Sequence, residues 1–275
     1  MCIKCIGKNP INKQFQINEH MSFATKAESI ASHRGEANQM VSILTDTKTH
    51  NAARIKVQQF VGKCRLLRPI LLPAVLQTQY LSILYNHWNC PTTRKLALEE
   101  LNWWAGNGLT DWLSNNPLDN SALSHYHPEF HLKRPYNLLA ADSDFFPHKI
   151  YTDASRFGWG ACRYPGEQKA QGPFPYNPMP MTKPVPSSNW RELFAVGEAL
   201  QSFKDLENTR ILIRTDNSTT AAYINREGGI VLNLVTQVKK LFFDIVWPRR
   251  LSLYALHVRG VDNRIADQLS RKRYQ

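Results

Sequence analysis

Ile150-Tyr151-Thr152-Asp153-Ala154-Ser155 is the stretch that decides how this chain folds, and Ile211-Leu212-Ile213-Arg214-Thr215-Asp216-Asn217 has the same pattern. Each is a short strand-type run that ends in a Thr-Asp pair. An Asp at the end of a buried strand points its carboxylate out of the sheet edge, where a ligand can reach it. Two such strands in one domain can bring two carboxylates together. Two further acids stand at suggestive positions, Glu192 in a helical stretch and Asp267 near the C-terminus. Four acids meeting in one place repel each other. The usual physical resolution is a pair of divalent cations shared with a phosphate substrate.

Outward from these strings the pattern continues. Residues 149–152 and 159–164 read as a hairpin joined by 153–158, and 172–186 as a Pro-rich loop. Residues 189–206 form an amphipathic helix with Leu193, Val196, Leu200 and Phe203 on one face. A strand at 210–215 follows, then a short helix at 218–226 that Gly228-Gly229 ends. A longer helix spans 230–247 and stops at Pro248, before a strand at 251–258 and a final helix at 262–271. The order β-β-(β)-α-β-α-α-β-α predicts an α/β domain over 148–271, a mixed sheet with helices packed on it.

The N-terminal half reads differently. Residues 1–35 are polar without a sustained period and are expected to be poorly structured. In 52–67, Val57, Phe60, Val61, Cys64 and Leu67 recur at helical steps. Arg68-Pro69 ends that helix, and Pro73 can open the next in its first turn. Thr92 and Thr93 are expected caps of a helix through Trp104, stopped by Gly106 and Gly108. Residues 36–114 thus form a small helical module. Residues 115–147, with Pro117, Pro128, Pro135 and Pro147, form a linker. His125, His127 and His131 in that linker lack a Cys partner or a regular element, so they read as solvated rather than zinc-binding.

Charge narrows the partner. The chain of 275 residues carries a formal +12. Residues 150–275 hold 18 Lys/Arg against 11 Asp/Glu, and residues 1–149 hold 16 against 11, so both halves are basic. That favours a polyanion, nucleic acid or a membrane surface. No apolar run approaches a bilayer span, and the richest stretch, 69–85, is broken by Pro73, Gln77 and Gln79. The scattered cysteines (Cys2, Cys5, Cys64, Cys90 and Cys162) point away from a disulfide framework and toward a reducing, intracellular compartment.

Several ordered strings carry a family resemblance. They are Tyr151-Thr152-Asp153-Ala154-Ser155 with Gly158-Trp159-Gly160-Ala161, then Trp190-Arg191-Glu192-Leu193, then Arg214-Thr215-Asp216-Asn217-Ser218. Ala222-Tyr223-Ile224-Asn225-Arg226-Glu227-Gly228-Gly229 follows, and finally the run from His257 to Arg271 containing Ile265-Ala266-Asp267-Gln268-Leu269-Ser270. Together they resemble the ribonuclease H domain of retroelement reverse transcriptases, of DIRS type first and gypsy type next. Phe60-Val61-Gly62-Lys63 with Leu72-Pro73-Ala74 is similar to the helical segment joining polymerase to ribonuclease H in such elements. No Tyr/Phe-x-Asp-Asp string of a polymerase palm occurs. The resemblance implies a ribonuclease H-like five-stranded mixed sheet and cleavage of the RNA strand of RNA–DNA hybrids. It also implies a polymerase domain encoded upstream as a possible partner.

What it implies for residues is specific. Asp153, Glu192, Asp216 and Asp267 match the four metal-binding acids, holding two Mg²⁺ ions or Mn²⁺ in their place. Ser155, Asn189, Asn217 and Ser218 flank them and can bond RNA 2′-OH groups. Lys239, Lys240, Arg249 and Arg250 cluster at the end of the 230–247 helix and are candidates for hybrid phosphates. Each acid has a plainer reading: Asp153 as a turn residue, Glu192 as a first-turn helix acid, Asp216 as a helix cap, Asp267 as an i,i+4 partner of Arg271. One departure stands out. The segment 260–267 contains no His, unlike cellular ribonucleases H. The general acid is thereby unassigned. A catalytically inactive nucleic-acid-binding remnant is the competing reading. A transposase-type nuclease ranks behind both, because the last acid is Asp267 rather than Glu.

Overall fold

The computed structural model describes residues 19–45, 50–68, 71–115, 146–175 and 186–272. Cys2, Cys5, the linker histidines and part of the Pro-rich loop lie outside these residues.

The N-terminal half is helical. Helix α1 spans Glu19–Thr45, so it begins well before the expected start near residue 36. Helix α2, His50–Leu66, buries Val57, Phe60, Val61 and Cys64 at the three- and four-residue steps read from the sequence. Two tight turns follow, Leu72–Ala74 and Leu76–Thr78, with Pro73 inside the first, and then α3, Gln79–Asn86. Helix α4, Pro91–Ala105, starts on Pro91 rather than on a threonine cap. Its N-cap is Cys90, which makes no side-chain capping bond. Proline is suited to the first helical turn, where its missing N–H is not needed. Gly106 ends α4, but helix α5, Asn107–Asn115, resumes at once.

The C-terminal half is built on five strands: β1 His148–Ala154, β2 Gly158–Tyr164, β3 Gln168–Pro173, β4 Arg210–Thr215 and β5 Ser252–His257. Their spatial order is β3-β2-β1-β4-β5. The pairs β1–β2 and β2–β3 are antiparallel, whereas β1–β4 and β4–β5 are parallel. The third strand, whose place the sequence left open, pairs with β2 at the sheet edge. Helix α6 is Ser188–Ser202, α7 is Ser218–Arg226, α8 is Leu232–Lys240 and α9 is Arg264–Ser270. The helix expected over 230–247 is a continuous run from Leu232, in which α8 passes into wider π-type turns over Leu241–Val246. This is a mixed five-stranded sheet with flanking helices, as the order of elements predicted, preceded by a helical module.

Alternation sorts the side chains. Ile150, Ala161, Ile211, Ile213 and Ala255 join one apolar core with Leu193, Val196 and Leu200 of α6 and Val235 and Val238 of α8. The opposite face of β1 and β2 receives α9. A Cβ on Gly160 would lie 2.5 Å from the Ala266 carbonyl and 2.6 Å from the Ser270 nitrogen, so a glycine lets α9 rest on β2.

The helical module docks on the α7–α8 side. Its apolar residues, among them Phe60, Leu81 and Trp104, belong to the same continuous core. Arg68 donates to Glu227 at 2.7 Å. Lys239 reaches Glu100 at 2.7 Å and Gln77 at 3.0 Å, and its ammonium lies 4.3 Å from the centre of the Tyr80 ring. The Tyr80 hydroxyl pairs with Thr236 at 3.0 Å, and Trp112 sets its edge against Trp247. Among the described residues no helix is long and apolar enough to cross a membrane.

Candidate metal centre at the ends of β1 and β4

The two Thr-Asp endings lie side by side because their strands run in register. Thr152 is the partner of Thr215 in the parallel β1–β4 ladder. Asp153 and Asp216 are the next residues on adjacent strands, which stand about 4.8 Å apart in any sheet. Thr152 and Thr215 point into the core and are fully buried, so the following Asp in each strand emerges on the other side of the pleat. Glu192 arrives from α6. It shares the buried face with Val196 and Ala199, an i, i+4, i+7 row in which an acid is out of place unless it has a ligand.

One carboxylate oxygen from each of Asp153, Glu192 and Asp216 lies within 4.8 Å of the other two. Asp153 and Glu192 are 6 % and 5 % exposed, and Asp216 opens to solvent. Burial first, then the neighbouring acids Asp153 and Asp216, push Glu192 up to about 9. A backbone N–H of Ala154 opposes that rise. Burial likewise lifts Asp153 to about 6, with Asp216 and Asp267 adding to it and a hydrogen bond from Ser270 working against it. The Glu192 Oε2 atom is buried with no donor among the described residues. A buried acceptor without a donor, inside a cluster of like charges, is what a divalent cation would satisfy. The donor set is all oxygen, which suits Mg²⁺ or Mn²⁺.

Asp267 is placed differently. It sits on α9 close enough to raise Asp153, but outside the group of three. Its Oδ1 atom accepts from Arg271 Nε at 2.7 Å and lies 2.6 Å from Arg271 Nη2, the i,i+4 pair that the sequence offered as its plainer reading.

The flanking polar residues hold the elements around the acids. Asn217, not Asp216, caps α7: its side chain accepts from the Thr220 N–H at 2.8 Å. The same amide donates to Asn189 at 2.8 Å, which ties the starts of α6 and α7 together beside the acids. Ser218 is the first, exposed residue of α7. Ser155 donates to the Ser270 carbonyl at 2.6 Å and accepts from the Phe157 N–H.

The basic cluster does not stay together, and two of its members have partners within the protein. Lys239 is committed to Glu100 and Gln77 at the module interface. Arg249 donates to the carbonyls of Leu200, Phe203 and Leu206, bracing the end of α6. Charge and proximity in sequence make all four candidates for phosphates, but they do not reveal these partners. Lys240 and Arg250 are exposed. Ser270 and Asn263, which touch this site, were not singled out. Their signal is faint: Ser270 is one helical turn past Asp267, and only the fold brings it to Asp153.

No protein-family model matches the chain, and no curated protein matches it. Solved structures do. LC11-RNase H1, isolated from compost by a metagenomic approach, is 18 % identical with a TM-score of 0.34, over 44 % of this chain and 91 % of its own. The same protein in complex with an RNA/DNA hybrid matches at 15 % identity and TM-score 0.33, over 44 % and 92 %. RNase H1 from the halophilic archaeon Halobacterium salinarum matches at 18 % and 0.34, over 44 % and 92 %.

Proposed function

We propose that this chain is a metal-dependent endoribonuclease that cuts the RNA strand of RNA–DNA hybrids. The observation that carries the reading is the convergence of Asp153, Glu192 and Asp216 from two strand ends and a helix, with a buried Glu192 oxygen left without a donor. Asp153, Glu192 and Asp216 would hold divalent ions, with Asp267 joining if Arg271 yields it. Bound there, the ions supply Lewis acidity to a phosphodiester and its attacking water. The side chains themselves do the remaining work. Asn217 and Asn189 present an amide pair beside the cluster, and Ser218 adds an exposed hydroxyl, a set suited to RNA sugar edges, whereas the Ser155 hydroxyl is already engaged by Ser270 and Phe157. Lys240 and Arg250 offer exposed charge for phosphates. The module ahead of the sheet, together with the quoted motifs, favours an origin in a retroelement reverse transcriptase, with a polymerase domain as an upstream partner.

The test is cleavage of an end-labelled hybrid by the purified chain, with and without Mg²⁺ or Mn²⁺. Cutting of the RNA strand only with metal is expected. Asp153→Asn should lower the rate by several orders of magnitude, since metals act directly on the developing charge. One observation favours the competing reading of a binding remnant, namely that Asp267 is already engaged by Arg271. A chain that binds hybrid yet never cuts it with either metal would establish that reading instead.

A further inference from the structure

Helix α9 meets the acidic cluster through a residue that carries no charge. The Ser270 hydroxyl is fully buried and donates to Asp153 Oδ2 at 2.5 Å, across 117 positions of sequence. The Asp267 carbonyl, 2.9 Å from the same hydroxyl, competes for its single proton. A carboxylate is the stronger acceptor, so the proton goes to Asp153. The contact is doubled in the reverse direction, because the Ser270 carbonyl accepts from Ser155, two residues beyond Asp153. Gly160 makes this approach possible by removing the Cβ that would strike Ala266 and Ser270. At the other end of the helix, the buried Asn263 amide donates to the Thr152 carbonyl at 2.9 Å. The end of β1 is therefore gripped by both ends of α9, and only the Ser270 end touches the carboxylate itself.

From this geometry we infer that Ser270 is a positioning residue that fixes the Asp153 carboxylate for a divalent cation. The inference rests on the metal-centre reading above. Asp153 is crowded by Glu192 and Asp216, and like charges would swing a loosely held carboxylate away from the shared centre. Its donor among the described residues is Ser270. A hydrogen bond on Oδ2 sets the plane of the carboxylate and with it the direction of Oδ1. Groups that orient a metal-binding side chain in this way typically change metal affinity by about 10–100-fold when removed.

The experiment is calorimetric titration of Mn²⁺ into the full chain without nucleic acid, beside thermal melts. Ser270→Ala should bind Mn²⁺ about tenfold or more weakly. Asn263→Ala loosens the same helix without removing the donor on the carboxylate, so it should lower the melting temperature while costing clearly less Mn²⁺ affinity than Ser270→Ala. Equal Mn²⁺ affinity in Ser270→Ala and wild type overturns the proposal. So does an equal loss in Asn263→Ala, which would mean that only helix docking matters. If Ser270→Ala does not fold, Ser270→Cys, similar in size but a poor donor, carries the test, and wild-type affinity there overturns it. A wild-type chain that binds no Mn²⁺ sinks the metal-centre reading along with this one. A wild-type chain that binds Mn²⁺ and cuts hybrid, beside an unaffected Ser270→Ala, sinks only the role of Ser270.

Discussion

Glu192 sits where ionisation is costly in the absence of a cation. It is buried on the apolar face of α6, between Asp153 and Asp216, and its carboxyl is raised to about 9. Asp153 is raised to about 6. Both acids therefore bind protons more tightly in the folded chain than in the unfolded one. Their contribution to stability is fully present below about pH 4, and it is lost as pH rises through about 6 and then about 9. Melting temperatures in EDTA should accordingly fall across that window, and Mg²⁺ should restore more stability at pH 8 than at pH 5. Glu192→Gln should flatten the EDTA profile, because it removes the group that must ionise, and it should also abolish the Mg²⁺ increment. A wild-type profile that rises with pH in EDTA, where Glu192→Gln is flat, would contradict the placement of these acids.

At the scale of elements, the register of β1 on β4 and the seat of α9 on β2 make the site. The Thr152–Thr215 pairing puts two acids at one sheet end, and a slip of one residue would turn one of them into the core. The seat of α9 depends on Gly160. A methyl group there meets backbone at 2.5–2.6 Å, so Gly160→Ala should push α9 outward. The expected cost is about 1–3 kcal/mol in denaturant unfolding, with weakened Mn²⁺ binding because Ser270 leaves Asp153. An unfolding curve that matches wild type would show that the helix shifts freely.

The whole molecule is held by a core that runs from the helical module into the sheet. Glu100 accepts from the Tyr80 and Leu81 N–H groups at 2.9 Å each, at the start of α3, and from Lys239 across the interface. Its side chain is 1 % exposed. Lys239→Ala leaves that buried charge without its cation, so a loss of about 3–5 kcal/mol is expected from equilibrium unfolding. Glu227 is in a similar position, buried at the left-handed cap of α7, where burial raises its carboxyl and Arg68 opposes the rise. The shared core and these two ion pairs predict that a fragment 146–275 melts well below the full chain. Equal melting temperatures for the two would show the interface to be incidental.

How much of this was legible follows from how local each signal is. Strand β4 and helix α7 were readable to the residue, since a β-type run ending in Thr-Asp and a helix stopped by Gly228-Gly229 declare themselves within a few positions. Glu192 was readable as an acid in the first turns of a helix, but its place on the buried row was not. The order of elements implied a mixed sheet. The start of α1 and the π-type turns after α8 were not readable, because residues 19–35 lack a sustained period and turn width leaves no local mark. The sequence could not say which cations were already spent: Lys239, Lys240, Arg249 and Arg250 look alike along the chain, and only the fold brings Glu100 to one and three carbonyls to another. Ser270 belongs with them. A strand's ending and a helix's face are properties of neighbours in sequence and are determined there. The partner of a buried hydroxyl or ammonium lies a hundred or more residues away, so the tertiary structure alone decides it.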